Sequence, residues 1–550
     1  MKLNKLYFVA AAAALLSFAA CSDIDDILPA GGSLLESQVQ ETNVAVPTMG
    51  TASFNGLYTY LGKPNNPSGG SIRPDCYSFI MITFCDDLEG ADAWIADSGY
   101  NWFSVCGELS SRNANYRNPL VRYKSPYDLI GLCNTFITSY PEDVDDPDIV
   151  AMIAQAHALR AFAYQRLAIN FQFGPAIAPD KLCIPLVTPD TEDYTNNPRA
   201  TTKDIYDFII EDLNYAVDNL DGYDRPDKSR INKTAALALR ARTYLAMGEW
   251  QKAYDDATAA ITAGAAEGIA PKSITEIKNA LKDGTAFESI DEKDWIWGYD
   301  MTVDIASTYP YATSSSWLRS FSAWSYSAAC QVYTSINNML FDKIPATDVR
   351  KGWWLDASRQ SDHLDGVTWN GNDVVTYSDG DNKLPFLAYT NVKFGCNPIA
   401  TEVNDEDFPF IRVDEMYLIQ AEAQAHLNAS QGATILTNYV KTYRDPSYSV
   451  TAGGRTLENE VWFQRRVELW GEGFFTFDMK RLGKPLVRFH GAGTSNQPEA
   501  FAFNLEASDG WLNMRFPQGE LDTNHGIVDN TDGTSPEKGQ NPDLRDGVTD

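Results

Sequence analysis

Apolar positions recur at helical spacing over most of this chain, and the breaks in that spacing divide it. Phe54, Leu57, Tyr58 and Leu61 lie on one face of a helix that Gly62-Lys63-Pro64 ends, and residues 63–75 form a Pro/Gly/Asn/Ser loop. Tyr127, Ile130, Cys133 and Ile137 mark a second helix, and the Ala-rich stretch from Ile149 to Phe171 a third, stopped by Gly174-Pro175. Ile184-Pro185-Leu186 reads as loop, and Thr202 as the N-cap of the helix through Ile205-Tyr206. From 265 to 409 the helical period fades into Gly, Ser, Asp, Asn and aromatics, which predicts short strands and long loops. Trp295-Ile296-Trp297 alternates as a strand with one face in the core, and a further helix is expected near Tyr333-Thr334. Helical order returns at Phe410, runs to about Arg481, and gives way to a loop-rich tail.

The most regular segment, Asn232 to Gly264, places Ala241, Tyr244, Gly248, Trp250, Ala253, Ala257 and Ala260 where a tetratricopeptide-like pair alternates small and large residues. One such pair cannot bury its apolar face alone, so neighbours at 149–171 with 202–219, and 412–428 with 433–443, are expected to stack on it. The fold class expected is mainly α: a scaffold of tetratricopeptide-like helical pairs with a large irregular insertion of loops and short strands. As organisation this gives a leader at 1–20, a tether at 21–42 and one domain at 43–550. Within that domain, helices occupy about 43–264 and 410–481, a ligand-binding insertion 265–409, and loops the tail.

The leader changes the picture of where the protein works. Lys2 and Lys5 precede an apolar run from Leu6 to Phe18, then Ala19-Ala20-Cys21. That is a secretory signal, too short to span a bilayer, which needs ~20 apolar residues. The small residues before Cys21 resemble the lipobox of bacterial lipoproteins, in which this cysteine becomes the acylated N-terminus. Ser22-Asp23-Ile24-Asp25-Asp26 resembles the acidic tag of lipoproteins exposed on the outer face of the outer membrane.

Charge and composition then exclude classes. A net charge of −30 speaks against nucleic acid and anionic lipid surfaces and suits a neutral partner, glycan or peptide. Beyond Cys21, the cysteines Cys76, Cys85, Cys106, Cys133, Cys183, Cys330 and Cys396 show no zinc spacing and read mostly as small buried hydrophobes; the spacing assigns no disulfide. No cofactor is implied. Asp379-Gly380-Asp381-Asn382 and Asn404-Asp405-Glu406-Asp407 carry calcium-type ligands without EF-hand spacing, and polar loops explain them equally well. No HExxH, GxSxG or Walker A pattern occurs. His157 reads as a packed core residue, and Asp86-Asp87 as a helix-end or solvated pair rather than a cleft acid. A glycosidase needs two carboxylates ~5–10 Å apart, and acidic residues are too numerous here to single out a pair.

Four blocks in order resemble the SusD/RagB family of outer-membrane nutrient-binding lipoproteins. They are Ala158-Leu159-Arg160-Ala161-Phe162-Ala163-Tyr164 with Gly174-Pro175 and Ile184-Pro185-Leu186; Arg412 to Ala423; Arg465-Arg466-Val467-Glu468-Leu469-Trp470-Gly471-Glu472-Gly473-Phe474 with Phe477-Asp478-Met479-Lys480-Arg481; and Phe516-Pro517-Gln518-Gly519-Glu520-Leu521-Asp522-Thr523-Asn524. Arg465, Arg466, Glu468, Glu472, Asp478, Lys480 and Arg481 read first as buried or semi-buried ion pairs that fix helix packing, and the Arg412–Ala423 block as frame. The resemblance implies a non-catalytic surface lipoprotein, lipid-anchored through Cys21 on the extracellular face of the outer membrane. It would capture oligosaccharides and deliver them to a SusC-like TonB-dependent β-barrel. Peptide capture by the same kind of importer is the alternative, and a surface glycosidase a third reading.

Sugar binding without chemistry needs aromatic platforms flanked by polar side chains. Two intervals supply them, Asp86 to Asn115 and Tyr309 to Tyr326. The expected platforms are Trp94, Trp102, Trp317 and Trp324, with Asn101, Arg112 and Arg319 as polar partners; Trp353-Trp354 and Trp369 are reserves. About half of these tryptophans are expected in the core.

Overall fold

The structure, a computed structural model, describes residues 36–75, 79–95, 102–283, 285–309, 313, 315–318, 333–364, 368–369, 372–373, 387–395 and 404–550. Its frame is helical. Helices α1 (Glu36–Ala45), α2 (Pro47–Gly62), α3 (Phe79–Leu88) and α4 (Arg117–Thr138) lead into α5 (Pro147–Phe171), α6 (Thr202–Asn219), α7 (Lys233–Met247) and α8 (Trp250–Ala266). After the insertion come α10 (Val413–Leu427), α11 (Ala429–Tyr443), α12 (Leu457–Glu468), α13 (Phe475–Arg481) and the short α14 (Gln518–Thr523); α9 (Ile274–Asp283) lies within it. Each helix from α4 to α8 packs on the next, α8 packs on α10, and α10 on α11. This is the stack of helical pairs that the sequence pattern predicts.

Local chemistry sets the ends. Asp146 caps α5 by accepting from the N–H groups of Asp148 and Ile149, with Pro147 in the first turn. Ala154, Ala156, Ala158, Ala161 and Ala163 are fully buried along α5, and side chains this small let neighbouring helices approach closely. Gly248 takes the left-handed conformation, φ 72°, that turns α7 into α8. The cap of α6 is Thr201 rather than Thr202: its hydroxyl accepts from Asp204 N–H while the Asp204 carboxylate answers the Thr201 N–H, a full capping box. Helix α1 occupies part of the stretch expected to be tether. Gln40 and Asn43 donate to the carbonyls of Thr138 and Ser139, which docks it on the end of α4.

Because α8 and α10 are neighbours in space, the insertion leaves the stack and re-enters it at nearly one place. Strands β4 (Trp295–Tyr299) and β8 (Phe408–Arg412) pair antiparallel there, Trp295 opposite Arg412 and Tyr299 opposite Phe408. Trp295, Ile296 and Trp297 are all fully buried, so both faces of β4 are core, not one. Phe410 begins no helix; it lies in β8, and helix starts at Val413. The helix expected near Tyr333-Thr334 is instead strand β5 (Thr334–Ile336), paired with β1 (Ala93–Ile95) and followed by one turn at Asn338–Phe341. Ile184 and Pro185 belong to β2 (Leu182–Pro185), which pairs with β3 (Arg199–Thr201). Strand β6 (Thr368–Trp369) pairs antiparallel with β7 (Asn372–Asp373).

The charged blocks form a buried lattice between the helices. Glu468 accepts from Arg350, Arg412 and Arg444; Arg412 also reaches Asp294, Asp414 and Glu472. Arg465 and Arg481 clasp Asp478, Arg481 pairs with Glu422, and Arg466 joins Asp92 to Asp546. Removing one member of such a lattice strands a buried charge, so these residues hold the frame. Cys85, Cys106, Cys133 and Cys183 are free and buried; Cys21, Cys76, Cys330 and Cys396 lie outside the described residues.

Candidate functional site

The two intervals expected to bind ligand meet in space. Strand β1, inside the first, pairs with β5, just past the second, with Trp94 opposite Ser335. Next to this seam the Phe103 ring meets Trp317 edge-on at 4.4 Å between centroids. Residues 240 positions apart in the chain thus share one wall.

Trp102, next to Phe103 in the chain, is half-buried and lines a pocket of about 190 Å³ with Arg73, Asp75, Tyr116, Arg117 and Asn118, together with Met81, Ile82 and Cys85. The Arg73 guanidinium stands 4.7 Å over the Trp102 ring. Asp75 holds Arg73 at 3.1 Å and Arg117 at 3.2 Å, and Arg117 donates to Asn66. Asn118 donates to Glu89, which is also salt-bridged to Arg112 and Arg122. An aromatic face bordered by pre-set amide, guanidinium and carboxylate groups is what a neutral polyhydroxylated ligand requires. Leu109 and Ser111 adopt left-handed backbone, φ 48° and 54°, which is uncommon for such residues and marks the turn that carries the chain beneath Trp102.

The other predicted residues fall differently. Trp94 (7% exposed) and Trp317 (2%) are core side chains, so in this structure neither offers a ring to solvent. Arg112 is buried too, donating to Glu89 at 2.6 Å and to the Trp511 carbonyl at 2.9 Å; it anchors the turn after Trp102. Burial lowers its pKa despite the Glu89 charge. The reserves Trp353 and Trp354 are buried. Asn101, Arg319 and Trp324 lie outside the described residues, as does the side chain of Trp369.

The carboxylates beside the pocket are structural. Asp86 and Asp87 sit at the end of α3, as expected, but neither is solvated. Asp86 pairs with Arg122, and Asp87 accepts from the N–H groups of Gly473 and Phe475. Burial pushes Asp87 up to about 7. His157 is not apolar core: it pairs with Asp212 at 2.6 Å and stacks on Tyr215, with its edge part-exposed. Asp407 of the second acidic run accepts from Ile290 and Met301 N–H, and among the described residues no group of His, Cys, Asp or Glu could hold a metal ion.

A larger cleft, about 770 Å³, was not foreseen. It lies between α4 (Tyr123, Tyr127), the 185–197 loop (Tyr194) and the C-terminal Pro517–Glu520–Asn524 motif. Its one signal in the sequence is an aromatic residue, Tyr194, inside the polar run Thr191-Glu192-Asp193.

Comparison with known proteins follows the same lines. A model described as the SusD family matches residues 308–533, and one described as starch-binding, associating with the outer membrane, matches 78–245. A SusD-like protein P2 from Formosa agariphila is 24% identical over 97% of this chain and its own full length. A SusD-like protein from Bacteroides ovatus is 33% identical over 45% of this chain and 40% of its own. A SusD-like carbohydrate binding protein from Bacteroides vulgatus superposes with TM-score 0.67 at 21% identity, covering 88% of this chain and 97% of that one. A SusD superfamily protein from Bacteroides thetaiotaomicron gives 0.64 at 20%, over 88% and 99%. At these identities the structural likeness speaks to the fold.

Proposed function

The chain belongs to the SusD/RagB family, and we propose that it is a non-catalytic receptor that captures oligosaccharides at the cell surface and delivers them to a SusC-like TonB-dependent transporter. The observation that carries this reading is the Trp102 pocket: a part-exposed indole among oriented polar groups, within the first of the two aromatic intervals. Relatives described as starch-binding or carbohydrate-binding support the ligand class. The carboxylates around the pocket are tied to arginines, which suits holding hydroxyls better than donating a proton. Cys21 would carry the acyl chains that anchor the receptor to the outer membrane beside its transporter, facing outward. Among the described residues no helix is long and apolar enough to cross a membrane.

Calorimetric titration of the mature chain with neutral oligosaccharides and with short peptides tests the reading. We expect saccharide binding that weakens when Trp102 is replaced by alanine, and no reducing sugar released on incubation. Peptide binding without any saccharide binding would overturn the ligand class, and steady sugar release would overturn the non-catalytic assignment.

A further inference from the structure

The tyrosine-lined cleft is built from distant segments locked together. Asn524 donates to the Asn197 carbonyl and to Glu520, each at 2.7 Å, and its own carbonyl accepts from Asn197 N–H at 2.9 Å. Tyr127 donates to the Pro185 carbonyl. Tyr123, at the floor, is braced edge-on by Phe171 at 5.4 Å and Phe516 at 5.8 Å. Tyr194, at the rim, is 59% exposed and supports nothing else. The cleft is therefore rigid, aromatic and open without rearrangement.

Its chemistry narrows the ligand. Lys124 is paired to Asp128 at 2.6 Å, which leaves Glu520 as the uncompensated charge and makes the cleft unsuited to anions. The backbone groups of its wall are already used: the carbonyls of Pro185, Leu186 and Val187 accept from Tyr127, Asn197 and Tyr164. A peptide would therefore find no free strand edge to pair with. What remains is the part-exposed ring of Tyr127 and the exposed ring of Tyr194, with carboxylate, amide and hydroxyl side chains, the complement of a sugar's C–H faces and hydroxyls.

We propose that this cleft is a second binding site, for a neutral oligosaccharide segment, separate from the Trp102 pocket. Helix α4 lines both, Arg117, Asn118 and Val121 facing the pocket while Tyr123 and Tyr127 face the cleft, so one rigid element would hold two stretches of glycan. The ligand class rests on the capture reading; the location does not.

The test is calorimetry with neutral hexasaccharides of α-glucan, β-glucan, xylan and mannan on the mature chain and on Trp102→Ala, Tyr194→Ala and the double variant. Tyr194 is exposed, so its loss should leave the unfolding midpoint unchanged. We expect Trp102→Ala to retain saccharide binding that Tyr194→Ala then weakens about tenfold. If Trp102→Ala abolishes all binding and Tyr194→Ala changes nothing, the second site is refuted and the first stands. If only Tyr194→Ala matters, the cleft stands and the Trp102 reading falls. Absence of binding by the unaltered chain to every probe overturns both.

Discussion

Trp102 is the chain neighbour of Phe103, and Phe103 packs on Trp317, yet substitution should affect the two tryptophans in different ways. Trp317 is 2% exposed and packed edge-on against Phe103, and its carbonyl accepts from the Thr334 hydroxyl at 3.0 Å. Truncating it opens a cavity in a close-packed core, so Trp317→Ala should cost about 3–5 kcal/mol of stability. Trp102 spends part of its surface on solvent and on the Arg73 guanidinium. Trp102→Ala should cost about 1 kcal/mol or less in folding, but about 1–2 kcal/mol in saccharide affinity. Urea denaturation paired with calorimetry separates the two. Equal losses of stability would mean that Trp102 is a core residue and not a platform.

At the scale of elements, what could be read from sequence is what local periodicity and capping encode. The helices at 147–171 and 233–266 carry a 3.6-residue pattern within their own windows, and the second pair its glycine turn at Gly248, which made them legible; their Asx caps, Asp146 and Asn232, were not read. Strand β5 was not, because three residues hold no period and its partner β1 lies some 240 positions earlier. Phe408–Ile411 is an apolar run before Arg412 that fits a strand or a helix start equally until β4 is seen to pair with it. The site divides in the same way. Tryptophan as the residue type was readable, but exposure was not: Trp94 is buried in the strand that pairs with β5, and Trp317 is buried against Phe103. The cap of α6 was misplaced by one residue because Thr201 and Thr202 stand side by side, and only the Asp204 geometry distinguishes them. That geometry makes a prediction: Thr201→Ala should destabilise by about 1 kcal/mol, Thr202→Ala by a different route, through loss of its bond to the Lys181 carbonyl. Amide exchange at the Asp204 N–H, which Thr201 holds, should quicken only in the first variant.

At the scale of the whole molecule, the buried ion lattice sets how stability responds to acid. Burial alone would raise Glu468, Asp478 and Asp546, but the arginines facing them more than offset it and hold all three below the ordinary carboxylate range. Such groups stabilise the fold above their unfolded pKa values, near 4, and that contribution is lost as pH falls through their folded values. Around neutrality two sets of slopes oppose one another. Burial lifts Asp87 and Asp407 to about 7 from 3.8, so the folded chain takes up protons first and stability rises as pH falls from 8 toward 5. Burial lowers Lys480 to about 7 and Lys393 to about 8 from 10.5, which favours the fold as pH rises above that range toward 10.5. The four together should leave a shallow minimum of stability near pH 7–8, with higher stability on either side of it and a decline below about pH 4. Asp546 offers the sharpest check, since it joins the C-terminal residues to Arg466 of α12 at 2.6 Å and also receives the N–H groups of Val548 and Thr549. Asp546→Asn should be less stable at pH 7 and should lose less on acidification, so that its unfolding free energy approaches that of the unaltered chain below about pH 2. Two curves that stay parallel from pH 7 to pH 2 would mean that this carboxylate is not depressed, and that the acid limb comes from repulsion among the 44 Lys and Arg once the surface carboxylates are protonated rather than from the lattice within.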